Sequence, residues 1–390
     1  MGSIRRRTGR PKPWEAVYRD PEGRQRTRSF TRRLDAQHFL TSTEHSLLSG
    51  CYVDPADKTT FKAYAEKWRA AQVHRRTTSA KVEQILRTHA YPTLGALPLR
   101  SILPSHVQAW VRGRSDVLAP STVAVVHGIV ASVFKGAVRD RLIASSPCEG
   151  SKLPEGDRQP IVPLETLQVL ALESALAPRF RALVPLGASA GVRISEATGL
   201  TVDRSGLKPP SARPMLRIDR QLVVMDNEAP YLGPPKRKAS RREVPLPHVA
   251  VEALAAHMAA FPPTPREMVC RDVGGKAWAE TVELVFTTDD GEPIRRNALS
   301  RVWRPAVKAA GLPEATTFHD LRHYYTSLLI RHGESVKVVQ ARLGHATAAE
   351  TLDTYAHLWP DSEDRTRDAV DSVLGAAASL REPHVSQAGG

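Results

Sequence analysis

The sequence predicts a multidomain α+β protein: a small N-terminal β-sheet-plus-helix module, an all-α bundle, and a mainly α domain carrying a small antiparallel sheet. Three observations lead there. At 390 residues the chain exceeds what one hydrophobic core ordinarily serves. The period of its apolar residues changes along the chain, from 2 to 3.6 and then to a mixture. Its charge is uneven: residues 1–33 hold 11 Lys and Arg against 3 Asp and Glu, residues 59–150 hold 13 against 5, and residues 151–390 hold 30 against 29. The domains are expected at 1–55, 59–150 and 160–378, with 379–390 reading as a disordered tail.

Residues 1–12 are basic and read as flexible. Residues 14–19 alternate as a strand does, Asp20-Pro21-Glu22-Gly23 is a turn, and residues 24–30 alternate again before a helix over 31–49. Arg24, Arg26 and Arg28 recur at period 2 and so share one face of a strand. A β-ribbon with a basic face can enter a major groove, and an edge strand charged against aggregation has the same pattern. The residues leave both open.

Residues 55–60 read as a linker. Beyond them the spacing is helical throughout: Phe61, Tyr64, Ala65 and Trp68, then Val82, Ile85 and Leu86, then Val107 and Trp110 in a helix opened by Pro104. A last helix over 122–140 carries Val123, Val126, Ile129, Val130, Val133 and Phe134. These apolar residues read as the core of a four-helix bundle. Its rim, with Arg75, Arg76, Lys81 and Arg87, suits contacts to a duplex backbone. Residues 146–160, polar and interrupted by Pro and Gly, read as the main interdomain linker.

Further on, helices are predicted over 163–176 and 178–188, strands over 215–219, 221–225 and 283–287, and a helix capped by Asn297 and ending at 310. Gly191-Val192-Arg193 places Arg193 where a turn enters a helix, a position with free N–H groups that favours an anion. An ordinary surface arginine fits the same place. Basic residues crowd 236–242, on a turn that leads into a strand. A lysine on such a hairpin tip, Lys236 or Lys238, can move onto a phosphate; a solvated DNA-facing loop reads the same way.

The densest chemistry lies between 319 and 355. His319 and Arg322 are three residues apart and project from one face of a helix that Gly333 is placed to end. A second helix over 335–343 stops at Gly344 and leaves His345 on a turn. A third begins near Thr347 and carries Tyr355 one turn after Thr351. A guanidinium forks two donors onto phosphate oxygens, and a phenol can attack the same centre.

Composition excludes several classes. No run of about 18 apolar residues calls for a transmembrane helix, and no apolar segment follows the Arg-rich N-terminus as in a secretory signal. Cys51, Cys148 and Cys270 are widely spaced and odd in number, against a disulfide framework or zinc knuckle and in keeping with a reducing cytoplasm. Neither a phosphate-binding GxxxxGK[ST] loop nor HExxH occurs. His319 and His323, spaced i and i+4, lack the carboxylates that would complete a metal shell, so no metal or cofactor is expected. A net charge of +14 concentrated in two modules points to a long polyanion, DNA rather than a membrane surface. A solvated basic surface is the bland alternative.

Taken in order, Gly191-Val192-Arg193-Ile194-Ser195-Glu196-Ala197, Pro235-Lys236, His319-Asp320-Leu321-Arg322-His323, Leu343-Gly344-His345 and Thr351-Leu352-Asp353-Thr354-Tyr355 resemble the motifs of tyrosine recombinases of the phage integrase family. Each piece is weak alone, and five in order are specific. The resemblance implies a catalytic domain over 160–378, a helical core-binding (SAM-like) domain over 59–150 and an arm-type DNA-binding module over 1–55, the layout of a phage or integrative-element integrase. It implies site-specific strand exchange through a 3′-phosphotyrosine on Tyr355. Arg193 and Arg322 would clamp the phosphate, and Lys236 would protonate the leaving 5′-oxygen. His319 would accept the tyrosine proton or hold the phosphate, and His345 would add a hydrogen bond.

Lys238 competes with Lys236, which the Pro-Lys position favours. Tyr324 and Tyr325 are rival phenols beside Arg322, and Tyr355 is preferred. Glu196 and His323 are expected to support the site rather than touch the substrate. The resemblance further implies double-stranded DNA with core and arm sites, a homotetramer on DNA and an excisionase or host DNA-bending protein as accessory. A helix over 361–377 would dock on a neighbouring subunit. A type IB topoisomerase-like nicking-closing enzyme shares the Arg, Lys, His and Tyr set. A non-catalytic DNA-binding regulator would need one of those positions to be lost, and all are filled.

Overall fold

The computed structural model describes residues 2–49, 52–54, 57–156, 160–207, 212–225, 228–359, 367–368 and 370–374, in two compact units, 1–158 and 159–390. The first unit opens with an antiparallel sheet of β1 (Ser3–Arg6), β2 (Trp14–Arg19) and β3 (Gln25–Phe30), followed by helix α1 (Arg33–Leu48). Residues 3–6 therefore form a strand where flexibility is expected. Their single apolar residue, Ile4, pairs with Ala16 and packs with Tyr18 and Leu40, so the strand is held by its partner rather than by its own alternation.

Register decides which face of this sheet is free. Ala16 lies opposite Arg28 and Tyr18 opposite Arg26, and directly opposed residues share a face. Ala16 and Tyr18 are buried, with Tyr18 edge-on to Phe39 of α1, so Arg26 and Arg28 sit on the helix side. Arg26 reaches Asp20 at 3.0 Å and Asp54 at 2.7 Å, and the Arg28 guanidinium lies 4.9 Å from the Phe39 ring centre. Of the predicted basic face, Arg26 is thus taken up by the module's own carboxylates, whereas Arg28, against Phe39, and Arg24 remain exposed. The opposite face presents Arg5, Arg19, Gln25 and Thr27, all exposed.

The rest of this unit is helical: α2 (Phe61–Ala70), α3 (Arg76–Ile85), α4 (Tyr91–Leu94), α5 (Pro104–Ser115) and α6 (Pro120–Arg139). Helices α3 and α4 run on through a π-helical turn, Leu86–Ala90. Pro92 lacks the N–H a regular turn would use there, a common reason for such a widening. Phe61, Leu86, Val130 and Phe134 are fully buried at the centre. Helix α6 is long and apolar enough to cross a membrane, yet its Val126, Val130 and Val133 are buried in the bundle core.

In the second unit helices α7 (Thr166–Ala175), α8 (Pro178–Arg181), α9 (Leu183–Ala190) and α10 (Ile194–Thr198) precede strands β4 (Met215–Ile218), β5 (Gln221–Val223), β6 (Tyr231–Gly233) and β7 (Arg242–Pro245). Helix α11 (His248–Ala260), hairpin strands β8 (Pro265–Arg271) and β9 (Ala277–Glu283), and helices α12 (Arg296–Ala309), α13 (Phe318–Arg331), α14 (Val336–Leu343) and α15 (Ala348–Tyr355) follow. Helix α9 lies at the core, with Leu183, Val184 and Leu186 buried. Gly187 lets α13 approach: a Cβ there would stand 2.9 Å from Leu321 Cδ1.

The sheet differs from the expected one. Strands β4 and β7 pair alone, while β5, β6, β8 and β9 make a second sheet whose β6 and β8 run parallel. Residues 283–287 are not a separate strand, since the strand ends at Glu283 in the β8–β9 hairpin. That hairpin closes a small core of Leu222, Leu232, Met268, Cys270 and Val282. Helix α12 starts with Arg295 as its N-cap, two residues ahead of Asn297. Of the predicted helix over 361–377, residues 367–368 and 370–374 are helical and 361–366 lie outside the described residues, as does 379–390.

Candidate active site

Helix α13 carries three of the site's side chains, and its start is fixed by its own sequence. Thr317 caps it by accepting from His319 N at 3.2 Å, and Asp320 Oδ2 reaches back to Thr317 N at 2.7 Å and to Thr317 Oγ1 at 2.8 Å. His319, Arg322 and His323, at i, i+3 and i+4, then share one face. Arg322 is 1% exposed, the largest fully buried side chain among the described residues. Its Nη1 donates to Gly191 O and its Nη2 to Leu343 O, each at 2.5 Å. Two carbonyls from separate loops thus hold the fork in place.

Both carbonyls belong to turns that glycine shapes. Gly191, at φ 59°, is left-handed, and a Cβ there would stand 2.4 Å from Tyr325 Cδ1. Gly344, at φ 65°, ends α14, and a Cβ there would stand 2.9 Å from Ala239 O and Ser240 Cα. The short helix α10 follows Arg193, whose backbone N–H donates to Glu196 Oε2 at 2.9 Å and whose Nη1 donates to Oε1 at 2.9 Å. The expected anion position at this helix start is therefore filled by a side chain of the helix itself, and five residues carry little dipole.

Glu196 also accepts from Arg242 of β7, Nη2 to Oε2 at 2.9 Å and Nη1 to Oε1 at 3.2 Å, with both side chains almost wholly buried. Burial presses the Glu196 carboxyl upward, and Arg242 and Arg193 outweigh it, holding the group below the usual carboxylate range. From sequence, Arg242 is placed only among the basic residues over 236–242, not in the site. Its signal was alternation: two residues before buried Val244 on the same strand, it points inward as Val244 does.

Tyr355 ends α15 at 1% exposure, and Thr347 caps that helix. Its hydroxyl lies 2.7 Å from His323 Nδ1. Burial raises the phenol, opposed by the Thr326 hydroxyl, Arg322 and Arg193. His345 Nδ1 lies 2.9 Å from Thr351 Oγ1, and burial, then Arg322, pushes the imidazole down to about 4. His319 stands at the exposed rim with its ring edge-on to His323, 4.7 Å between centres. Loss of water on its inner side, then His323, Arg322 and Arg193, lowers it as well. Both imidazoles are neutral at pH 7 and can serve as hydrogen-bond partners in either sense.

The rivals of Tyr355 point elsewhere. Tyr324 Oη lies 3.0 Å from Thr166 Oγ1 of α7, and Tyr325 packs on Gly191. Lys236 does not sit on a hairpin tip, because β6 and β7 belong to different sheets. It lies on the connection between them, exposed, as does Lys238. Among the described residues no ion pair ties either ammonium, whereas Arg237 between them reaches Glu350 Oε2 at 2.9 Å. That bridge, and the close seat of Ala239 and Ser240 on Gly344, hold the segment beside His345.

Arg193, Arg242 and Arg322 surround a buried phenol, with Glu196 as the carboxylate that Arg193 and Arg242 share, a setting suited to a phosphate group and to attack by the tyrosine. Comparison with known proteins agrees. The model of the phage integrase family matches residues 164–361, and that of the phage integrase central domain matches residues 61–152. A putative prophage phiRv2 integrase of Mycobacterium tuberculosis is 27% identical over 381 residues, covering 95% of this chain and 94% of that protein. The integrase of Mycobacterium phage D29 is 27% identical over 364 residues, covering 89% and 90%. Among solved structures, the Tn1549 transposon integrase in complex with transposon right end DNA superposes with a TM-score of 0.66 at 22% identity, over 81% of this chain and 100% of that one. A lambda integrase tetramer bound to a Holliday junction gives 0.58 at 16% identity, over 89% and 96%. The chain belongs to the phage integrase family, and is a tyrosine site-specific recombinase.

Proposed function

We propose that this recombinase integrates the DNA of a phage or other mobile element through a 3′-phosphotyrosine on Tyr355. Arg193 and Arg322 clamp the non-bridging oxygens and offset the charge that grows in the pentacoordinate transition state. Lys236, free to move, protonates the departing 5′-oxygen. His319 and His345 hydrogen-bond the phosphate from the rim. The phosphotyrosine retains the energy of the broken bond, so a 5′-hydroxyl from a partner strand can reseal it without a nucleotide or metal.

The observation that supports this reading is the convergence of Arg193, Arg322 and His323 on one buried phenol. Arg193, with a third of its side chain exposed, is the guanidinium an incoming phosphate meets first. The bundle over 59–150 grips the core site, and the open sheet face with Arg5, Arg19, Gln25 and Thr27 reads arm sites. The lambda tetramer on a Holliday junction supports a homotetramer on DNA. An excisionase or a host DNA-bending protein as accessory is part of the same proposal. Buried free thiols at Cys148 and Cys270 suit action in the cytoplasm.

The test is a nicked attachment-site duplex that traps the covalent complex. The full-length protein should give a protease-sensitive DNA adduct, and Tyr355→Phe should bind the duplex without forming one. An adduct that persists in Tyr355→Phe would move the nucleophile to Tyr324 or Tyr325 and refute the assignment.

A further inference from the structure

We propose that His323 is a catalytic residue of strand transfer: its Nδ1 takes the Tyr355 proton as the phosphotyrosine forms and returns it when the strand is resealed. The inference rests on the reading of Tyr355 as nucleophile. The Tyr355 hydroxyl is buried and lies 2.7 Å from His323 Nδ1, a hydrogen-bond length, with ring centres 5.6 Å apart. Neither other imidazole is so placed. His345 spends Nδ1 on Thr351, and His319 meets the edge of His323 from the rim.

The surroundings suit a base. A buried phenol does not ionise unaided, because burial raises it. His323 is held below its ordinary value by burial first, with Arg322 assisting and Asp320 opposing, so its imidazole is neutral and can accept a proton at pH 7. The charged and titratable groups about it are His319, Asp320 and Arg322 on its own helix and Tyr355 on α15. Asp320, three residues before His323, is committed to the Thr317 cap, which fixes the start of their helix. The edge-on His319 ring limits rotation.

The step balances. The Oη–P bond forms and the P–O5′ bond breaks, the phenolic proton passes to His323 Nδ1, and the departing 5′-oxygen takes a proton from Lys236. Religation reverses each transfer.

The test is single-turnover cleavage of the trapping duplex by full-length wild type, His323→Ala, His323→Gln and Lys236→Ala, from pH 5.5 to 9.5. A second duplex has sulfur in place of the bridging 5′-oxygen, a leaving group that needs no proton. A glutamine can hydrogen-bond the phenol and cannot take its proton, so His323→Gln should bind DNA as wild type does and cleave ~100-fold more slowly at pH 7. The loss should narrow as rising pH ionises the phenol. Sulfur should rescue Lys236→Ala and leave the His323 variants slow, and added imidazole should partly rescue His323→Ala in step with its neutral form. Cleavage by His323→Gln within ~3-fold of wild type with the same pH profile, where base loss predicts at least ~100-fold, overturns the inference. So does rescue of the His323 variants by sulfur. A wild type that forms no adduct on either duplex refutes the nucleophile reading, and this one with it; a wild-type adduct beside an unslowed His323→Gln overturns this one alone.

Discussion

Removing Arg242 tests whether the buried ion pair holds the site together. The guanidinium is 4% exposed and the Glu196 carboxylate 2% exposed, joined by two hydrogen bonds. In Arg242→Ala the carboxylate stays buried with Arg193 as its remaining guanidinium, and that partner is a third exposed. Stripping one partner from a buried pair costs ~3–5 kcal/mol. For a unit of this size each kcal/mol lowers Tm by ~2–4 °C, so calorimetry of the full chain at pH 7.5 should show the second unit melting ~6–20 °C lower.

Acidity supplies an internal control. The Glu196 carboxyl titrates below its ordinary value, so its stabilising effect is present above the unfolded carboxyl's pKa and disappears as pH falls through the folded one. The gap between wild type and Arg242→Ala should therefore shrink in acid. Glu196→Leu with Arg242→Leu leaves no fully buried charge unpaired, because Arg193, which also loses its carboxylate, is a third exposed; the double variant should cost less than Arg242→Ala alone. A Tm drop under ~2 °C for the single variant, or a double variant as damaged as the single one, refutes the argument.

Four further outcomes are expected. Gly344→Ala, strained at φ 65° and crowding Ala239 O, should destabilise by ~1–3 kcal/mol in thermal unfolding and slow cleavage while leaving DNA affinity intact. Arg322→Lys replaces a fork held by two carbonyls with one ammonium, and single-turnover cleavage should fall ~10²–10³-fold. His345, pushed down to about 4, stays neutral in the fold while the unfolded chain protonates near ~6.5, so stability falls as pH drops below that value. His345→Gln should remove on the order of 1 kcal/mol of the pH 7 to pH 5 loss in urea titrations, allowing for the ring's open side. Arg5→Ala should weaken arm-site binding and flatten its salt dependence, whereas Arg28→Ala, lost from beneath Phe39, should lower the melting point of the first unit with less effect on binding.

What the sequence disclosed follows from which interactions are local. Helices α13, α14 and α15 announce themselves by Thr317, Ser335 and Thr347 at their starts and by Gly344 at a stop, all within one turn of what they control. Arg322 and Tyr355 could be named from motifs built on those helices, and Arg193 from the Gly191-Val192-Arg193 turn that opens α10. The face of Arg26 and Arg28 could not, because strand register and the position of Asp54 decide it. Strands β8 and β9 were missed because their inward Met268, Cys270 and Val282 are diluted by charged residues on the outward side. The Gly274-Gly275 turn between them was the one strong cue. The seat of Lys236 depends on β6 and β7 joining different sheets, a matter of long-range pairing. The His323 contact with Tyr355 spans 32 residues and two helix ends, and spacing along one helix carries no trace of it.

The arginine at the centre of the site is held by main-chain oxygens of Gly191 and Leu343 rather than by acidic side chains. Every residue has a carbonyl, so mutation at either position can bend the loop but cannot delete the acceptor. Exposed side chains around the site can therefore be varied in a search for new target sites, with the buried Arg322 fork insulated from that drift. Libraries that keep both glycine-shaped turns and vary the surfaces around them should retain strand-transfer chemistry at a high rate.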